Sequence, residues 1–291
     1  MNRFVTLAAA GLLTLGLAAC GPKDGPAEAA RDTASPDSAI KAASEALRSN
    51  DLHQFLRLSL PEARYQQLRE AYEKRERTAP DGEEAAEFAA MMAKLTAPEA
   101  EKTLMAELEP ALIQFETEMA PQMPMMIGMG RGFAAQAIQQ NTDMSDDQKL
   151  QATQVIDAMG NWLSGVQLAD RDLASSAISK AVASARTLDI KDMQQLEALD
   201  FDQMMEKAGV AFGGVKEVLG VYGLDIDAVL ASTRTELVSQ EGDNARLKVS
   251  YTLFGQTISA EQDMVREQDR WYSKEGMTAL AEAFETRIGG E

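Results

Sequence analysis

The chain has 291 residues, with 46 acidic side chains against 28 basic ones and a net charge of −18. A body this negative is repelled by nucleic acid phosphates and by anionic lipid head groups, which excludes DNA and RNA as partners. Aromatic residues make up only 5% of a composition that is 45% apolar, so Ala, Leu, Met, Val and Ile must build the core, a set weighted toward helices.

The first twenty residues read MNRFVTLAAAGLLTLGLAAC. Arg3 supplies a positive n-region, and residues 4–17 form an apolar stretch too short to span a bilayer comfortably. Leu17-Ala18-Ala19-Cys20 resembles the lipobox of bacterial lipoproteins, in which the cysteine is lipidated and becomes the new N-terminus. The resemblance implies a signal peptide over residues 1–19 and attachment to the membrane through lipid on Cys20. With Gly21 rather than Asp in the next position, it also implies an outer-membrane location facing the periplasm. Cys20 is the only cysteine, so the fold owes nothing to disulfides and has no thiolate ligand. Residues 20–35 are small, polar and Pro/Gly-bearing, and read as a flexible tether.

Residues 36–231 read as a helical region. Ser35-Pro36-Asp37 starts a helix with Ile40, Ala43 and Leu47 on one stripe, and Asn50-Asp51 caps a second carrying Leu52, Phe55 and Leu56. Pro61 opens a third with Tyr65, Leu68 and Tyr72; the run EKRER closes it and APDG at 79–82 breaks the chain. A further stripe follows at Phe88, Met91, Met92 and Leu95. Thr96 and Glu99 have the spacing of a capping box for the next helix, which Pro110 should kink. Ser145 and Gln148 cap a later helix, and a long one carries Ala208, Phe212, Val215, Leu219 and Tyr222. The glycines at 209, 213, 214 and 220 weaken that helix unless another backbone packs close.

Between the capped helices lies MAPQMPMMIGMG (119–130), uncharged and broken by prolines and glycines. Met119, Met123, Met126 and Met129 are spaced to share one side of a helix, and thioethers suit Cu(I). Pro121 and Pro124 oppose a continuous helix, and methionine is also an adaptable packing residue. The segment reads first as a buried hinge or as a groove for a partner or ligand.

Near residue 232 the apolar period changes from 3.6 to 2. Leu247, Val249, Tyr251 and Leu253 alternate with Arg246, Lys248, Ser250 and Thr252, the pattern of a half-buried antiparallel strand. Residues 232–291 thus read as a meander of three or four strands with a terminal helix, packed on the first helices. The fold class is α+β, predominantly helical. SPDSAIKAASEALRSNDLHQFL, ARLKVSYTL and DRWYS resemble the opening helices and last strands of the nuclear transport factor two-like α+β cone. About 150 mostly helical residues separate the matching parts. The resemblance implies a cone-shaped pocket, in which His53, Tyr251 and Trp271 are the candidate lining residues.

His53 is the only histidine, and Asp51 lies two positions away, but a histidine just inside a capped helix is ordinarily a surface or cap residue. One histidine and a lipidated cysteine do not make a zinc site, and GMGRG (128–132) lacks the lysine and preceding strand of a phosphate loop. Asp143, Asp146, Asp147, Asp170 and Asp172 sit where helix N-termini favour acids. The reading is a non-enzymatic lipoprotein without cofactor or metal, binding or scaffolding an envelope protein partner. The alternatives are a cone-fold small-ligand binder or enzyme, and a methionine-based Cu(I) handler.

Overall fold

The computed structural model describes residues 33–77 and 82–288. The export signal, Cys20, most of the tether and most of the APDG break lie outside the described residues. The protein is a predominantly helical α+β chain with one four-stranded antiparallel sheet in the order β1-β2-β3-β4 and a helix after it. It divides into two compact units. One comprises the described residues up to Glu76 with Ala228–Tyr251 and the chain from Ser259 onward; the other comprises Arg77–Asp227 with Thr252–Ile258.

In the first unit, α1 (Pro36–Arg48) is capped by Ser35, whose hydroxyl accepts from the Ser38 N–H while Ser38 returns a bond to Ser35. α2 (Leu52–Ser59) is capped by Asp51, and α3 (Glu62–Lys74) starts after Pro61. The strands are β1 (Arg234–Glu241), β2 (Asn244–Leu253), β3 (Gln256–Glu267) and β4 (Arg270–Ser273), of which only the Thr252–Ile258 stretch around the β2–β3 turn belongs to the other unit; α11 (Ile226–Ala231) precedes them and α12 (Lys274–Ile288) follows. On β2 the side chains alternate as the sequence predicts, with Leu247, Val249, Tyr251 and Leu253 buried. Arg246, on the outer face, bonds across to Asp263 at 2.8 Å. One sheet face meets α1 in a core of Ala39, Ile40, Leu247, Val249, Met264 and Trp271. Thr33 and Ser35, expected in the tether, already belong to this unit. Thr33 is fully buried, its carbonyl accepts from the Trp271 N–H at 3.0 Å, and its hydroxyl accepts from Arg270 at 2.9 Å.

The second unit holds α4 (Glu83–Thr96), α5 (Ala100–Gln114), α6 (Met123–Gln140), α7 (Asp146–Gly165), α8 (Arg171–Leu188), α9 (Met193–Ala198) and α10 (Phe201–Val221). Ser145 and Gln148 form the expected capping box of α7, and Asp170 caps α8. Thr96 does not cap α5. It is the last residue of α4, and its hydroxyl donates back to the Met92 carbonyl at 2.8 Å. Pro98 forces Ala97 into extended backbone, so the break falls one residue later and Glu99 opens α5 without a side-chain cap.

The buried face of α10 also differs from expectation. Phe201, Met205, Gly209, Gly214 and Lys216 are buried, whereas Val215 is exposed. α8 is the main neighbour of α10, and a Cβ on Gly214 would collide with the Ser184 side chain. The glycine there is the close backbone approach that the sequence required. Lys216 is buried with its ammonium 2.5 Å from Asp227 Oδ1 and 5.3 Å above the Phe212 ring.

Candidate functional site

The methionine segment begins where α5 loses its α-helical register. Phe115–Met119 forms a π turn, with the Ala120 N–H reaching the Phe115 carbonyl, and Ala120–Gln122 forms a 3₁₀ turn that leads into α6. The prolines supply the cause. Pro121 and Pro124 donate no backbone hydrogen bond and clash with the carbonyl four residues back, so the chain widens and then tightens around them. The Gln122 side chain donates to the Glu118 carbonyl at 2.7 Å. The segment thus stays helical in path, and the GMGRG stretch is helix, not a phosphate loop.

A groove of about 460 Å³ opens beside this distortion. Its apolar walls are Phe115, Met123, Pro124, Ile127, Leu163 and Val166, from the π turn, the start of α6 and the end of α7. Arg171, Glu116 and Asp170 stand among its lining residues, but each is engaged. Arg171 donates to Glu116 at 2.7 Å and to Glu109 at 3.4 Å, and Asp170 accepts from the Asp172 and Leu173 N–H groups at 2.9 Å. What the groove offers a ligand is therefore mainly apolar contact, and its size is that of small-molecule or side-chain pockets. Trp162, one position from Leu163, stacks on Phe254 with ring centroids 5.1 Å apart and donates its N–H to the Tyr222 carbonyl at 2.7 Å. Burial, and secondarily the charge of Asp170, raises the Tyr222 phenol above its ordinary pKa.

The four predicted methionines do not form one set. Met123 lines the groove, whereas Met119, Met126 and Met129 are exposed, and Met125 joins them at 60% exposure. The buried-hinge reading is thus overturned: α6 buries only Ile138 among its residues. Periodicity locates an apolar stripe but does not say whether anything covers it.

The three residues predicted for a cone pocket are separated. His53 Nε2 lies 2.6 Å from the hydroxyl of buried Tyr65, with the rings edge to face, and Asp51 is spent capping α2 through the Gln54 N–H. Tyr251 and Trp271 are buried core residues. The hollow beside Trp271, with Ile40, Phe55, Met264 and Tyr272 among its lining residues, is about 30 Å³, room for little beyond a water molecule. Neither His53 nor Tyr251 lines it. The groove residues Phe115, Leu163 and Arg171 went unrecognised in the sequence, where the only signal was the paired prolines at 121 and 124.

No family model, curated protein or solved structure matches the chain. Among the described residues, no helix is long and apolar enough to cross a membrane, and no group of three or more His, Cys, Asp or Glu is placed to hold a metal ion.

Proposed function

We propose that this chain is a lipid-anchored binding module of the cell envelope, held by Cys20 in the outer membrane and facing the periplasm. It works by binding and not by catalysis, and its binding site is the groove beside the methionine segment. The observation that carries this reading is an apolar groove of about 460 Å³ whose charged lining residues already hold partners. Such a site recognises an apolar group by shape and burial and has no free acid–base group to act on it. The distorted turn at 115–122 supports a role for this place, since π turns inside helices collect at functional sites. Two measurements test the reading. Cys20→Ala should abolish acylation and release the chain from the membrane fraction, and wild-type-like retention refutes the anchor. A photo-crosslinking residue at Ile127 should capture a discrete ligand or envelope protein in intact cells, where the same residue at Lys191 captures none. Equal capture at both positions refutes the groove.

A second reading, Cu(I) handling, gains from the exposure of Met125, Met126 and Met129, whose i, i+1, i+4 spacing clusters soft thioethers on α6. A competition titration with a Cu(I) chelator decides it: failure to take one equivalent from the competitor removes copper.

A further inference from the structure

α6 has 18 residues and one charge, Arg131. That guanidinium turns onto α7, where it donates to the Asp157 carbonyl and, at 2.7 Å, to Asn161. Gly160 is the seat that admits it, since a Cβ there would collide with the Arg131 side chain. The inward turn of Arg131 leaves the opposite face of α6 without charge. On that face Met125, Met129 and Phe133 follow one another at four-residue steps, with Met126 beside them. Their exposures are 60%, 51%, 71% and 42%. Gly128 and Gly132 lie along the same edge, and a Cβ on either would meet nothing, so packing within the chain does not require them. α6 packs chiefly on α7, and a two-helix hairpin cannot cover both of its sides.

We infer that this face of α6 docks on the lipid bilayer, lying in the interfacial plane with its methionines and Phe133 in the acyl boundary. The inference rests on the anchor at Cys20 proposed above. Three arguments select lipid as the occupant. First, the residues from Cys20 to Thr33 reach at most about 45 Å when fully extended, so an acylated chain keeps its body at high local concentration beside the membrane. Second, the uncharged strip is one face of a single helix about 27 Å long, and a second copy would bring another strongly negative body with it. A bilayer needs no matching shape. Third, α6 contains no acidic residue, so this face is spared the repulsion that keeps the rest of the chain from anionic lipid. Zwitterionic lipid is therefore the preferred surface.

The sequence supplies a clean probe, because Cys20 is its only cysteine and acylation consumes that thiol. Met129→Cys and Phe133→Cys on α6, and Ser179→Cys on α8 as the control, each give the acylated full chain one reactive thiol. Each is labelled with an environment-sensitive fluorophore and reconstituted in phosphatidylcholine vesicles containing brominated lipid. Docking predicts a blue shift and quenching at 129 and 133 and neither at 179. Replacing part of the lipid with phosphatidylglycerol should weaken the quenching at low salt, and added salt should restore it. An acylated chain whose labels at 129 and 133 ignore the quencher overturns docking while leaving the anchor intact. If the labelled chain is not quenched and the unlabelled Met129→Cys chain, treated with a mild thiol oxidant such as diamide, forms disulfide-linked dimers, the face belongs to a second copy. A chain without acyl groups on Cys20 overturns the anchor and the docking together.

Discussion

Phe254 holds a left-handed backbone, φ +49°, in the two-residue turn it shares with Gly255, φ +79°. Turns with both central residues left-handed favour Asn-Gly, and a bulky side chain in that region carries strain of order 1–3 kcal/mol. The stack on Trp162 explains why phenylalanine is there. Phe254 is half-buried, so its ring contributes less than the about 1.5–3 kcal/mol of full burial, and a well-placed aromatic pair adds about 0.5–1.5 kcal/mol. Phe254→Ala should lose the ring and keep the backbone penalty, whereas Phe254→Asn loses the ring and fits the turn. We predict, by denaturant titration, that both are less stable than the parent and that the Asn variant exceeds the Ala variant by about 1 kcal/mol. Both should shift the Trp162 emission to the red. Equal stability of the two would show that the turn bears no strain. A second residue-scale prediction concerns Lys216, buried within 2.5 Å of Asp227. Asp227→Ala strips a buried ammonium of its carboxylate and should cost about 1–3 kcal/mol. Lys216→Met together with Asp227→Ala should recover most of that loss, because a thioether chain fills the same volume without a charge to desolvate.

At the scale of elements, two glycines of α10 separate packing from propensity. A Cβ on Gly214 would strike Ser184 of α8, whereas one on Gly220 would meet nothing. Gly214→Ala should therefore destabilise the helical unit by about 1–3 kcal/mol through overpacking. Gly220→Ala should stabilise it by about 0.5–1 kcal/mol through lost unfolded-state entropy. Thermal denaturation followed by far-ultraviolet circular dichroism reads both, and equal effects would refute the close helix approach. The same helix shows where sequence reasoning reaches its limit. Its glycines announced a close neighbour, but the expected stripe through Val215 was not the buried one, because contact at Gly214 is made by backbone and leaves no apolar signature. β2 was legible to the residue, since period-2 alternation over ten positions admits one register with Leu247 and Val249 inside. The caps at Ser35, Asp51, Ser145 and Asp170 were legible because side-chain oxygens at helix starts answer a local need. The groove was not, because it depends on a π turn that joins residues fifty positions apart, and only two prolines marked the place.

At the scale of the molecule, the response to pH follows from where the titrating groups sit. In the sheet-bearing unit, Tyr272 is 2% exposed, and burial raises its phenol above the ordinary value near 10, with the neighbouring Arg270 opposing the shift. A raised folded pKa means that the folded state holds its proton longer than the unfolded chain does. Its stabilising contribution is thus complete below about pH 10 and disappears as pH rises through the folded value. Asp263 runs the other way. The hydrogen bond from Arg246 holds its carboxyl below the usual range, so its contribution is present near neutrality and is lost as pH falls below about 4. Both partners of that pair are more than a third exposed, and solvent screening limits the pair to about 1 kcal/mol or less. Denaturant titrations across pH should separate the two. Tyr272→Phe should leave the acid limb unchanged and flatten the alkaline limb, since phenylalanine has no proton to lose. Asp263→Asn should lower stability at pH 7 and converge with the parent once pH has fallen through the lowered folded value, where the carboxyl is protonated in either state. Identical alkaline limbs for the parent and Tyr272→Phe would show that the phenol reaches solvent, contrary to its seat in the core.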